Sequence, residues 1–97
     1  MAVRPSVLSA DEVDAGLRAL GDWTGNTDAI ERTVESSTFP AAIDLVRRVA
    51  DVAEEMNHHP DIDIRWRTVR FQLSTHDAGG VTALDLELAQ RINALAQ

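Results

Sequence analysis

The segment DIDIRWRTVRFQLSTH, residues 61–76, contains the alternation that decides the fold. Its apolar residues fall on even numbers up to Trp66 and on odd numbers from Val69 onward. One straight strand cannot present both sets on a single face, because successive side chains point to opposite faces. A two-residue turn at Arg67-Thr68 resolves the conflict, so we predict a β-hairpin. The predicted pairs are Trp66 with Val69, Ile64 with Phe71, and Ile62 with Leu73. Arg-Thr is not favoured turn chemistry, which leaves a bulged single strand as the alternative.

The same hairpin bears on the three histidines of the chain, two of which stand together at His58-His59. If the predicted register continues outward, Thr75 lies opposite Pro60 and His76 lies opposite His59. Pro60 disfavours the helical conformation at His59, so the chain should leave the preceding helix there. We therefore predict that all three imidazoles gather at one end of the hairpin.

The flanking segments predict three helices and a second hairpin. Ser9 and Glu12 have the spacing of a capping box, and so have Thr82 and Asp85 at the start of the last helix. Turn residues at 25–28 lie between two short strand-like segments. The order is helix, two strands, helix, two strands, helix. This order predicts an α+β fold: a two-layer sandwich with a four-stranded antiparallel sheet and the helices on one face. We expect one domain spanning residues 1–97.

Composition excludes several classes of function. The 97 residues include 16 acidic and 9 basic side chains, a net charge of −7, which disfavours binding to nucleic acid or to an anionic membrane. The chain has no cysteine, so disulfides, thiolate zinc sites and a cysteine nucleophile are ruled out. No apolar run approaches the ~20 residues of a membrane span. The N-terminus lacks the apolar stretch of a secretory signal, and we expect a cytoplasmic protein.

Clustered imidazoles suggest acid–base chemistry. Histidine is the side chain whose unperturbed pKa, about 6.5, lies near neutral pH. Several imidazoles around one pocket can protonate a leaving group and remove a proton elsewhere, without a covalent nucleophile. The alternatives are ordinary polar surface, or a zinc site completed by Asp61 or Asp63. Trp23 and Trp66 are most simply core residues, and Asp85 is most simply a helix cap.

The spacing of these residues resembles a family signature. Glu54, three residues, His58-His59-Pro60, five residues, Trp66, nine residues, His76, eight residues, Asp85 is similar to the signature of the pterin-4a-carbinolamine dehydratases. The stretches GDW at 21–23 and STHDAGG at 74–80 also stand where that family would place them. Trp66 occupies a position that is more often tyrosine.

The resemblance implies a reaction. The substrate would be 4a-hydroxytetrahydrobiopterin or a related 4a-hydroxytetrahydropterin, the product of an aromatic amino acid hydroxylase. Hydroxyl would leave C4a and a proton would leave N5, giving the quinonoid dihydropterin and water in tetrahydropterin recycling. The resemblance implies no metal and no organic cofactor.

The resemblance also implies roles for residues. His58 and His76 would be the acid–base pair, and His59 would chiefly bind and orient the pterin. Glu54 would orient or tune His58, Trp23 would wall the pocket, and Asp85 would serve as a cap or in catalysis. The expected catalytic residues are His58, His59 and His76. The expected substrate-binding residues are His58, His59, Pro60, Thr75, His76, Asp77 and Ala78, with backbone groups of residues 75–78 on the pterin edge.

Members of the family form dimers or tetramers, so the resemblance implies a homodimer or homotetramer. The competing hypotheses are a non-catalytic interaction module that keeps the fold, and a metal-binding domain. The intact set of histidines disfavours the module, since a protein that only associates has no need of them.

Overall fold

The computed structural model of the chain describes residues 5–97. Its order of elements is the predicted one, and the α+β fold is confirmed. The elements are α1 (Ala10–Leu20), β1 (Thr24–Gly25), β2 (Ile30–Glu35), α2 (Phe39–Met56), β3 (Asp61–Arg65), β4 (Thr68–Leu73) and α3 (Ala83–Leu95). All strand pairs are antiparallel, and the strand order is β1-β2-β4-β3.

The core lies between the helices and one face of the sheet. Alternate residues of the central strand β4 are buried, as are Ile30 and Val34 of β2. They form one apolar cluster with helix residues such as Leu45 and Leu88. This period-two burial is what a sheet with one covered face requires. The opposite face carries charged pairs such as Arg70 with Glu31, whose N···O distance is 3.4 Å.

The predicted register of the β3–β4 hairpin is wrong. Ile62 pairs with Phe71 and Ile64 pairs with Val69, so the turn is at Trp66-Arg67. The partners of Ile62 and Ile64 are displaced by two residues, which leaves these side chains on their predicted face, whereas Trp66 has no partner. The apolar pattern cannot distinguish registers that differ by two, because the pleat repeats every two residues. The paired strands also exclude the bulged single strand.

The conformation of Trp66 explains the shift. Its φ is 56°, a left-handed value of the kind that tight hairpin turns need at their centre. The indole is 72% exposed and lies 5.0 Å from the Arg67 guanidinium carbon. The expectation that Trp66 belongs to the core is therefore wrong. Trp66 lies in the turn of the hairpin and not on its apolar face.

Local capping fixes the two helix ends that border the site. α2 ends where Asn57 takes a left-handed conformation, with φ 51° and ψ 42°, which only a few residue types accept easily. The N–H of His58 then donates to the carbonyl of Ala53 at 3.0 Å. α3 begins at Ala83 and is capped by Thr82, with Asp85 closing the predicted capping box. Within residues 5–97, no helix has both the length and the apolar character to cross a membrane.

Candidate active site

The three histidines meet at one cleft. His58 and His59 come from the corner that follows α2, and His76 comes from the loop that follows β4. The cleft has a volume of about 200 Å³. It is bordered by Asn57, His58, His59, Ser74, Thr75, His76 and Asp77. The structure therefore brings the predicted histidines together.

The backbone contacts that bring the three histidines together differ from the predicted ones. The β3–β4 ladder ends at the pair Asp61–Gln72, so Thr75 and His76 do not pair with Pro60 and His59. Thr75 instead forms a bridge with Gly80 inside its own loop, and its N–H donates to the Gly80 carbonyl at 2.9 Å. The loop thus folds back on itself beside the corner at the end of α2.

A larger cleft adjoins the first. Its volume is about 510 Å³, and it is bordered by Pro5, Ser6, Val7, Asn57, His58, Thr75, Asp77, Ala78 and Leu84. The two clefts share four residues, His58 and Thr75 among them, so these two side chains stand at the junction. A volume of this size is within the range of small-molecule sites. Nothing in PSV at 5–7 indicates a binding residue, so it was not predicted that this segment borders the site.

The segment at 5–8 is held in place by the backbone. The N–H of Leu8 donates to the carbonyl of Val81 at 2.9 Å, next to the cap of α3. Gly80 lies close beneath: a Cβ placed there would come within 3.2 Å of the Val7 side chain. It would also come within 2.5 Å of the Thr27 carbonyl oxygen, so glycine is required at this position for the backbones to pack closely.

His58 is paired with Asp85. The Nε2 of His58 lies 2.6 Å from Oδ1 of Asp85, and both residues are buried. The other carboxylate oxygen, Oδ2, accepts the Thr75 hydroxyl at 2.8 Å and the backbone N–H of Thr82 at 2.9 Å. Asp85 is thus at once the capping residue of α3 and the partner of His58. The cap that the sequence predicted is therefore present, and the same carboxylate also contacts His58.

Glu54 contacts a different histidine from the predicted one. Its Oε2 lies 3.1 Å from Nε2 of His59, not beside His58. The prediction assumed that the helix continues through His58, so that residues four apart share a face. α2 stops at Met56, however, and the left-handed Asn57 turns His58 away from that face. The expectation that Glu54 orients His58 is therefore wrong.

Replacing Glu54 with glutamine tests how much its contact matters. The side chains of His59 and Glu54 are 58% and 79% exposed, and exposed pairs of this kind contribute about 0–1 kcal/mol. We expect Glu54→Gln to change the free energy of unfolding by less than about 0.5 kcal/mol in urea denaturation. A loss of 2 kcal/mol or more would contradict the view that this pair is a surface contact.

Trp23 does not wall the site. It is 4% exposed and belongs to the apolar core. Its indole N–H donates to Oδ1 of Asn93 at 2.7 Å, which satisfies its one donor. Neither cleft is bordered by Trp23 or by Pro60. Pro60 follows the corner and acts there through its backbone restriction on His59.

Comparison with known proteins identifies the family. A family model described as "Pterin 4 alpha carbinolamine dehydratase" matches residues 6–95. The chain belongs to this family. A Nocardia farcinica protein with the provisional name pterin-4-alpha-carbinolamine dehydratase is 56% identical over 94% of this chain and 96% of its own length. A Mycolicibacterium smegmatis protein with the same provisional name is also 56% identical, over 91% and 94%.

Solved structures are similar as well. The crystal structure of a transcriptional coactivator/pterin dehydratase from Brucella melitensis has a TM-score of 0.89 and 34% identity. The match covers 93% of this chain and 98% of that one. A pterin dehydratase-like protein described as a RuBisCO assembly factor in the alpha-carboxysome has a TM-score of 0.63 and 20% identity, covering 76% of this chain and 86% of that one. This second likeness shows the fold alone.

The zinc alternative has no support from the side-chain positions in this pterin-4a-carbinolamine dehydratase family member. Within residues 5–97, no three His, Cys, Asp or Glu side chains come together as metal ligands. Asp61 and Asp63 lie on β3, and Asp63 contacts Arg65 instead, at 3.4 Å. The site offers three imidazoles and the carboxylate of Asp85, which contacts one of them.

Proposed function

We propose that this protein dehydrates a 4a-hydroxytetrahydropterin to the quinonoid dihydropterin and water. The observation that carries the proposal is the meeting of His58, His59 and His76 around one cleft, with His58 held by the buried Asp85. Membership of the pterin-4a-carbinolamine dehydratase family supports the same reaction. No oxidant or reductant enters, because the step only removes hydroxide from C4a and a proton from N5.

Acid–base catalysis accounts for the reaction. Hydroxide is a poor leaving group at neutral pH, so an imidazolium should donate a proton to the oxygen on C4a as the C–O bond breaks. The N5 lone pair forms the new double bond, and a neutral imidazole takes the proton that N5 loses. We assign these two tasks to His58 and His76. His59, which is exposed and contacts Glu54, has the task of holding the pterin.

The loop at 75–80 forms a tight turn that would contact one edge of the pterin ring. The N–H groups of Ala78 and Gly79 both donate to the Thr75 carbonyl at 3.0 Å, which keeps the turn tight. Asp77 borders both clefts, and Ala78 borders the larger one. The backbone groups of this loop that make no bond within it, together with the Asp77 side chain, are the ones proposed to hydrogen-bond the polar edge of a pterin. Together the two clefts offer room for a bicyclic ligand next to His58.

The proposed reaction has a place in tetrahydropterin recycling. The substrate is produced by a tetrahydropterin-dependent hydroxylase, so dehydration would return the cofactor to its recycling route.

The chain would act as a homodimer or homotetramer. Phe39 and Ile43 on α2 are 48% and 41% exposed, and β3 is an open sheet edge. Such surfaces favour self-association.

A turnover assay tests the proposed reaction. A 4a-hydroxytetrahydropterin is generated in place by an aromatic amino acid hydroxylase, and formation of the quinonoid product is followed by absorbance. We expect a rate that rises with protein concentration above the spontaneous rate. His76→Ala should lose most of this activity, because general acid–base groups contribute about 10²–10⁴-fold.

The controls separate chemistry from folding. His76 is exposed, so His76→Ala should keep the circular dichroism spectrum and thermal midpoint of the wild-type protein. Asp51→Asn changes an exposed side chain of α2 and should retain full activity. A wild-type rate equal to the spontaneous rate would refute the proposed function. Full activity of His76→Ala would refute the role given to His76.

A further inference from the structure

The hydrogen bonds around Asp85 have a fixed direction. An ionised carboxylate has only acceptor sites, so every group that contacts it must donate. The hydroxyl of Thr75 lies 2.8 Å from Oδ2 of Asp85 and must donate its single proton to that oxygen. The backbone N–H of Thr82 donates to the same oxygen at 2.9 Å. Charge-assisted bonds of this kind are the stronger class of hydrogen bond.

A second hydroxyl extends this series of hydrogen bonds. Oγ1 of Thr82 lies 2.8 Å from Oγ1 of Thr75. Since the Thr75 proton is already used, Thr82 must be the donor in this contact. Thr82 in turn accepts the N–H of Leu84 at 3.2 Å. Proton donation therefore runs one way, from Thr82 to Thr75 to Asp85.

Burial leaves these groups few other partners. Thr82 and Asp85 are fully buried and Thr75 is 7% exposed, so water cannot readily replace a missing contact. With Oδ2 occupied by two donors, Oδ1 is the oxygen that serves His58. An acceptor at Oδ1 requires a proton on Nε2 of the neutral imidazole.

We propose that Asp85 fixes His58 as its Nε2–H tautomer, and that Thr82 and Thr75 are positioning residues that hold the carboxylate for this contact. Nδ1 is then the nitrogen that exchanges a proton with the ligand, a conclusion that rests on the proposed function where it concerns substrate. His58 borders both clefts. Its side chain keeps 10% exposure while Nε2 is held by Asp85.

Nuclear magnetic resonance of the substrate-free protein reads the tautomer directly. The chain has three histidines, so uniform ¹⁵N-histidine labelling gives three ring systems, with His59 and His76 as internal references. At a pH where the rings are neutral, we expect His58 to carry its proton on Nε2. Asp85→Asn should move the proton to Nδ1, because the amide oxygen is needed by the donors Thr75 and Thr82 and the amide N–H then faces Nε2, whereas Thr75→Ser should retain the Nε2–H form. A wild-type His58 with its proton on Nδ1, or an Asp85→Asn spectrum like that of the wild type, would overturn the proposal.

Kinetics give a second measurement. Loss of orientation should act on kcat, so Thr75→Val should lower kcat by about tenfold to a hundredfold while KM changes less than about threefold. Thr82→Val should act in the same direction, and Thr82→Ser should restore kcat because it keeps both the hydroxyl and the helix cap. Wild-type kcat in Thr75→Val would refute the positioning role. Absence of turnover in the wild-type protein would instead refute the proposed function, while the tautomer would still be decided by the spectra.

Discussion

Replacing His58 with glutamine should lower kcat for dehydration by about 10²–10⁴-fold, the range that a general acid or base contributes. Glutamine has about the reach of histidine and can donate an N–H to Oδ1 of Asp85, the contact that His58 makes at 2.6 Å. It cannot exchange protons near neutral pH. The variant therefore removes the chemistry and keeps the buried hydrogen bond. The turnover assay with in-place substrate, run beside thermal unfolding, measures both.

Alanine at position 58 would not separate the loss of proton transfer from the loss of the buried hydrogen bond to Asp85. His58→Ala leaves the Asp85 carboxylate buried without this partner, and an unsatisfied buried charge destabilises the fold. His59→Gln is the better matched control, since His59 borders the same cleft but is exposed. We expect it to raise KM more than it lowers kcat. A His58→Gln enzyme with more than half of the wild-type kcat would remove His58 from the proposed acid–base pair.

Replacing Asp85 with asparagine should affect both stability and activity. The Asp85 carboxylate accepts from His58, Thr75 and Thr82, and an amide turns one of these acceptor oxygens into a donor. The remaining contacts lose the charge-assisted character that a carboxylate acceptor gives them, at a cost of about 1–3 kcal/mol. His58 also loses the group that sets its tautomer, for which we expect a further fall in kcat of about 10²–10⁴-fold. Urea denaturation and kcat measured well below the thermal midpoint separate the two losses.

An exposed aspartate provides the control for this change. Asp44→Asn alters an i,i+4 pair with Arg48 on the surface of α2, so we expect less than about 0.5 kcal/mol and no change in kcat. An Asp85→Asn variant with wild-type kcat would show that the carboxylate serves only as the cap of α3. Reduced stability with unchanged kcat would lead to the same conclusion.

The parts of this protein that depend on neighbours in sequence were predictable. The capping boxes at Ser9 and Thr82 are present where the spacing placed them, because a helix cap involves residues three apart. The faces of β3 and β4 follow from the alternation of Ile62, Ile64, Val69 and their neighbours, because the pleat has a period of two. These local rules are sufficient for the order of the elements and for a β3–β4 hairpin that returns the chain toward the end of α2.

Tertiary structure decided the rest of the site. The register of the hairpin depends on the backbone conformation at Trp66, which hydrophobic pattern does not encode. The exchange of partners, with Asp85 instead of Glu54 beside His58, depends on where α2 ends and on how α3 packs next to it. The sequence by itself determined which residues could take part, because residue type and spacing are written in the chain. Which atoms meet was decided only by the packing of α3 and the loop at 75–80 against the corner at His58, since contacts between distant residues depend on the whole fold.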